Sequence, residues 1–204
     1  DRVDLRMPPG CFYFERASAP LAEATPAQID GWHMDLFRDE DLEYLARMSR
    51  ELYDGTDLCL KFTLFGSVYE NAQALRGWDQ FLVDLMVDPG LAEALMTRLC
   101  EGHMRNFDLF HQAVQGRCDI LWVGDDLGTQ KSPQLSPELY RQAVFPHHRR
   151  FYQHVKRRGH YRLVLHSCGA IQPLLDDLIA AGIDGINPVQ ITAENMDPHD
   201  LKRR

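Results

Sequence analysis

The spacing of apolar residues switches between two periods along this chain. From Asp57 to Phe65 the period is two, with Leu58, Leu60, Phe62 and Leu64 on one side, which predicts a strand. Asp119–Val123, Tyr161–Leu165 and Asp184–Ile186 are short apolar runs that predict three more. Between them the period becomes helical. Leu42, Leu45, Ala46 and Leu52 share one face of a helix for which Asp39 is the expected N-cap. Two helices are predicted around Val68–Leu75 and Trp78–Val87, the second stopping before Asp88-Pro89-Gly90. A long helix follows over Leu91–Gln115, striped by Leu91, Leu95, Leu99, Phe107, Phe110 and Val114, with His103 on the stripe as a packed residue. Ser136-Pro137 reads as an N-cap and first helical position, opening a helix that runs toward Arg158 with a kink at Pro146. Helices over Ile171–Ala181 and from Met196 complete the pattern. Ahead of all this, residues 1–30 are irregular. There Val3–Met7 and Cys11–Phe14 flank Pro8-Pro9-Gly10 as a β-hairpin, and Thr25-Pro26 marks a helix start.

Apolar strands separated by long helices are the mark of buried parallel sheets. The fold class is therefore α/β, as an α/β barrel or a doubly wound sheet. No Gly-x-Gly-x-x-Gly follows the first strand, which weakens the dinucleotide-binding alternative. The 204 residues suit a single domain spanning 1–204, with 1–38 as an N-terminal extension. The chain opens at Asp1 without Met and closes inside a helix, so a segment is expected to be missing at each end, including the C-terminal strands.

Composition narrows the function classes. A net charge of −8 argues against a nucleic-acid partner, and Lys156-Arg157-Arg158 reads as a solvated helix end. No apolar run approaches the roughly 18 residues of a membrane span. Five cysteines, odd in number and widely spread, do not suggest a disulfide framework, and a cytoplasmic location is expected.

Active sites of both candidate architectures lie at the C-terminal ends of the strands. Those ends carry Asp125 and Asp126, then His166 and Cys168, then Asn187 and Gln190, with Gly66, Ser67 and Tyr69 after the first strand. His166-Ser167-Cys168 places an imidazole and a thiol on one side of a strand end, and Zn²⁺ favours such donors. On its own, His-x-Cys-Gly is a weak pattern whose bare occurrence favours a buried His and an inert Cys. Its position beside an Asp-Asp strand end gives it weight. Gly-Asp-Asp-x-Gly is also good turn chemistry, so one aspartate is expected to face the cavity and the other to hold the loop. Cys118 precedes its strand, Cys59 reads as mid-strand, Cys100 is helical and Cys11 is in the hairpin. All four are expected as small buried apolar residues rather than ligands.

Several segments together resemble the uroporphyrinogen decarboxylase superfamily: Gly124–Gln130, Ser136-Pro137-x-x-Tyr140-Arg141, Pro146-His147-His148, His166–Gly169, Ala181–Gln190 and Met196-Asp197-Pro198-x-x-Leu201-Lys202. The match runs over roughly residues 60–204, about two thirds of the chain. The resemblance implies a (β/α)8 TIM barrel, here incomplete, with its cleft at the C-terminal face. One branch of the superfamily removes acetate carboxyls from uroporphyrinogen without metal. The other moves methyl groups between corrinoid proteins and acceptors such as coenzyme M, binding zinc through a His-x-Cys and a distant Cys. The chain leans to this methylcobamide:coenzyme M type branch, because His166-x-Cys168 matches and an Arg-rich opening is absent. On that reading His166 and Cys168 are metal ligands, and Asp125, Asp126 and His166 serve catalysis. Asn187, Gln190 and, less directly, Tyr69 line the substrate pocket. The cofactors are zinc, with a third ligand that is either a carboxylate in view or a residue beyond Arg204, and a corrinoid carried by a partner protein. The rival readings are a metal-free decarboxylase acting on a tetrapyrrole and a non-catalytic barrel that binds a corrinoid or another ligand. Few cationic residues besides Lys131 sit at the strand ends to receive several carboxylates, which counts against the decarboxylase.

Overall fold

The computed structural model describes residues 5–11, 15–16 and 18–203. A two-residue pairing opens the chain: β1 (Leu5–Arg6) runs antiparallel to β2 (Glu15–Arg16). The hairpin is therefore present, with its second strand displaced beyond Cys11. Val3, Asp4 and Phe12–Phe14, which the hairpin expectation also used, lie outside the described residues. Helices α1 (Pro26–Gly31) and α2 (Asp39–Gly55) follow and pack on the long helix over Pro89–Val114. Thr25 and Gln28 close a reciprocal capping box on α1. Asp39 is the first residue of α2 rather than its cap. Arg38 occupies the cap position, and its backbone N–H donates to Asp41 Oδ2 at 3.3 Å.

The body alternates strands and helices: β3 (Lys61–Phe65), α3 (Tyr69–Arg76), α4 (Trp78–Val87), α5 (Pro89–Val114), then β4 (Ile120–Gly124). Next come the short α6 (Pro137–Leu139), a π-helical turn over Tyr140–Val144 and α7 (Phe145–Lys156). The irregularity expected at Pro146 is this turn. It lies just ahead of the proline, which takes a first-turn position of α7 where no N–H is required. β5 (Arg162–His166), a 3₁₀ turn over Gln172–Leu174, α8 (Leu175–Ala181), β6 (Gly185–Asn187) and α9 (Pro198–Lys202) complete the chain.

The four body strands are parallel and adjacent in chain order, β3-β4-β5-β6. A doubly wound sheet reverses its strand order at a switch point, and this sheet does not. Sequential order is the winding of a barrel, of which the described residues build four strands. One face packs against the helices: Leu121, Val123, Leu163 and Leu165 are fully buried. Full burial of such a side chain is worth about 1.5–3 kcal/mol. The other face carries Trp122, Val164 and His166, all half-buried. α5 buries every member of its predicted stripe, including His103, whose Nε2 meets the Ser67 carbonyl at 3.0 Å.

β3 is shorter than its alternation suggested. Leu60 N–H is taken by Asp119 Oδ2 at 2.7 Å, and the ladder starts only at Lys61. Leu58 is consequently 68% exposed, and Cys59 is exposed and ahead of the strand, not a buried mid-strand residue. Among the described residues no helix is long and apolar enough to cross a membrane.

Candidate metal centre at the strand ends

β4 and β5 are paired in register to their last residues, Gly124 opposite His166. The chain leaving β4 therefore meets the chain leaving β5, and their loops lock together through backbone. A Cβ added to Gly128 would lie 2.5 Å from the Cys168 carbonyl oxygen, and one on Gly169 would lie 2.5 Å from the Thr129 carbonyl oxygen. Gly169 also has φ +86°, which favours glycine. Leu127 N–H donates to Ser167 Oγ at 3.0 Å, and Ala170 N–H to Thr129 O at 2.8 Å. Cys168 N–H donates to Asp126 Oδ1 at 2.6 Å.

This lock sets Asp126, His166 and Cys168 around one point, with a ligand atom of each within 4.8 Å of the others. His166 Nε2 and Cys168 Sγ are 3.8 Å apart. Two donors on a tetrahedral zinc, at about 2.0 and 2.3 Å from the metal, are separated by about 3.6 Å. Among the described residues this is the one such group of three. Asp126 thus brings a carboxylate to the two residues expected as metal ligands. His166 Nδ1–H donates to Asn187 Oδ1 at 3.0 Å, which leaves Nε2 with its lone pair toward Cys168. Burial first, then the Asp126 carboxylate, push the Cys168 thiol above its usual range. A cation at the centre would act in the opposite direction.

The two aspartates divide their work. Asp125 is fully buried, with Oδ2 accepting Val68 N–H, Tyr69 N–H and His148 Nε2–H, and Oδ1 accepting Glu70 N–H, all at 2.7–2.9 Å. It anchors the amino end of α3, where the helix dipole favours a carboxylate. His148 Nδ1 in turn takes a hydrogen bond from Tyr140 Oη at 2.9 Å. Asp126, half-buried, faces the cluster.

The remaining expected residues are placed as follows. Asn187 points at His166. Gln190 Oε1 accepts Gly169 N–H at 2.8 Å and its amide donates to Gln130 at 2.9 Å, so it braces the cysteine loop. Tyr69, expected in the substrate pocket, has no exposed surface, and its hydroxyl donates to Gln134 Oε1 at 3.3 Å. Its place beside the cluster belongs to Glu70. That carboxyl is raised to about 7 by burial first, then by Asp125 and Asp126, and it in turn raises the Cys168 thiol. Glu70 sits in the first turn of the helix after β3. It therefore lies at the same strand end as Tyr69. Beneath the cluster Trp122 stacks on His166 with ring centroids 6.4 Å apart, and Lys61 Nζ lies 4.1 Å over the indole.

Fold and site together define an α/β protein of the singly wound, barrel type with a soft-donor cluster at its strand ends. The sequence model of the uroporphyrinogen decarboxylase (URO-D) family matches residues 58–199, and the chain belongs to that family. Among solved structures it is similar to a methyltransferase from Methanosarcina mazei, with a TM-score of 0.58 and 20% sequence identity. The match covers 71% of this chain and 40% of that one, so the chain spans less than half the methyltransferase's length. None of the curated proteins compared with the chain matches it.

Proposed function

We propose that the protein is a zinc-dependent methyltransferase that moves a methyl group between a corrinoid, carried by a partner protein, and a thiol acceptor. The observation that carries this reading is the convergence of Asp126, His166 and Cys168 within 4.8 Å. One sulfur, one nitrogen and one carboxylate oxygen suit zinc, and three protein ligands leave a fourth position open, as catalytic zinc sites require. Zinc held there supplies the charge that keeps a bound thiol as its thiolate, the nucleophile a methyl transfer needs.

The chain's own residues supply the rest. Asn187 holds the His166 ring and fixes its tautomer. Asp125, through α3, sets the position of Glu70. Glu70, with a carboxyl half titrated near neutrality, is placed to take the proton that the acceptor thiol gives up. The half-buried Trp122 face lies next to His166 as an apolar floor for the acceptor's chain.

The test is metal content with turnover. Purified protein should hold about one zinc per chain, lost in Cys168→Ala and His166→Ala. Transfer from methylcobalamin to a small thiol should be lost with it. Protein without bound metal that releases carbon dioxide from uroporphyrinogen would overturn the proposal in favour of decarboxylation.

A further inference from the structure

We propose that Cys59 and Cys118 form a reversible redox pair that closes to a disulfide across the amino-terminal ends of β3 and β4. Cys59 lies two residues ahead of Lys61 and Cys118 two residues ahead of Ile120, and Lys61 and Ile120 are register partners. The two segments are still joined one residue before the ladder. Leu60 O accepts Asp119 N–H at 2.9 Å and Ile120 N–H at 3.1 Å, and Leu60 N–H donates to Asp119 Oδ2. Neighbouring strands run about 4.8 Å apart, inside the Cα separation of about 4.4–6.8 Å that a disulfide spans. The side chains share a side as well. The Cys118 thiol donates to the Leu60 carbonyl, beside Cys59, at 3.6 Å. Both cysteines line one cavity of about 920 Å³, together with Asp57, His111 and Tyr161. This cavity is at the opposite ends of the strands from His166 and Cys168.

The two thiols are unequal, which orders the chemistry. Cys59 is exposed, while Cys118 is buried, and burial pushes its thiol up to about 11. Cys59 therefore meets an oxidant first and Cys118 resolves. With hydrogen peroxide as oxidant, the Cys59 sulfur attacks one peroxide oxygen: an S–O bond forms, the O–O bond breaks and hydroxide leaves. The Cys118 sulfur, giving up its proton, then displaces hydroxide from Cys59. Two thiols become one disulfide, and the peroxide leaves as two waters. A dithiol reductant reverses the step by exchange. A disulfide that forms and opens in this way is transient and responds to the redox state around the protein.

Peroxide treatment, blocking of residual thiols and tryptic digestion test the pair directly. Cleavage at Arg50, Lys61, Arg117 and Lys131 isolates peptides 51–61 and 118–131, with one cysteine each. The expected product is these two peptides joined and separable by dithiothreitol. It should be absent from Cys59→Ser and retained when Cys11, Cys100 and Cys168 are all replaced by Ser. Cys59 is on the surface, so its serine variant serves as the control even if Cys118→Ser fails to fold. Recovery of Cys59 only as a sulfinic acid, joined to another cysteine, or linking two chains would overturn the proposal.

Discussion

Replacing Glu70 by Gln tests whether the carboxyl beside the candidate metal centre is held against its charge. Its pKa is raised from 4.5 to about 7, by burial first and then by Asp125 and Asp126. A shift of that size corresponds to about 3 kcal/mol. An acid whose folded pKa is raised keeps its proton more tightly in the folded state than in the unfolded one. The stability it contributes is complete below about pH 4.5, declines as pH rises and is lost above about pH 7. Glu70→Gln removes this titration and leaves other groups to cancel in the comparison. In protein stripped of metal by a chelator, urea unfolding at pH 5 and pH 8 gives the difference between wild type and variant. That difference should move by about 2–3 kcal/mol in the variant's favour between the two pH values, a midpoint shift of about 1 M. Loading with zinc should shrink the change, because a cation beside Glu70 favours its charged form. Wild type and variant losing stability in parallel from pH 5 to pH 8 would refute the reasoning.

Asp125→Ala leaves three backbone N–H groups and His148 Nε2–H without their acceptor in a fully buried place. The expected loss exceeds about 4 kcal/mol by thermal unfolding, among the large single-mutant effects. Asn187→Ala removes the acceptor that fixes His166 and should weaken zinc binding about 10–100-fold, read by competition with a chromophoric chelator. Gly169→Ala forces a Cβ to within 2.5 Å of the Thr129 carbonyl oxygen at φ +86°. It should destabilise by about 1–3 kcal/mol and lower zinc affinity together, because the same loop carries Cys168. An unchanged zinc affinity in that variant would separate the loop lock from the candidate metal centre.

The strand and helix alternation was legible because β3 alternates, β4 and the middle of β5 are apolar runs, and α5 buries a stripe with regular helical spacing. Barrel against doubly wound sheet was not decidable from periodicity. It depends on strand order, and β3-β4-β5-β6 emerges only from pairing between segments far apart in the chain. The same division holds at the site. His166 and Cys168 declared themselves by soft-donor chemistry at a strand end. Glu70 did not: an acid in a helix's first turn is ordinary helix chemistry, and Val68, at the cap position of α3, offers no side-chain cap that would point to a distant partner. The missing cap is Asp125, which reaches the N–H groups of residues 68–70 from more than 50 positions away. The Asp-Asp pair, expected as one cavity-facing residue and one that holds the loop, makes two different ties joined by one peptide bond. Asp125 ties β4 to the helix after β3, and Asp126 ties β4 to the loop after β5. Together the two residues tie three strand ends, and these ties bring Glu70, His166 and Cys168 to one place.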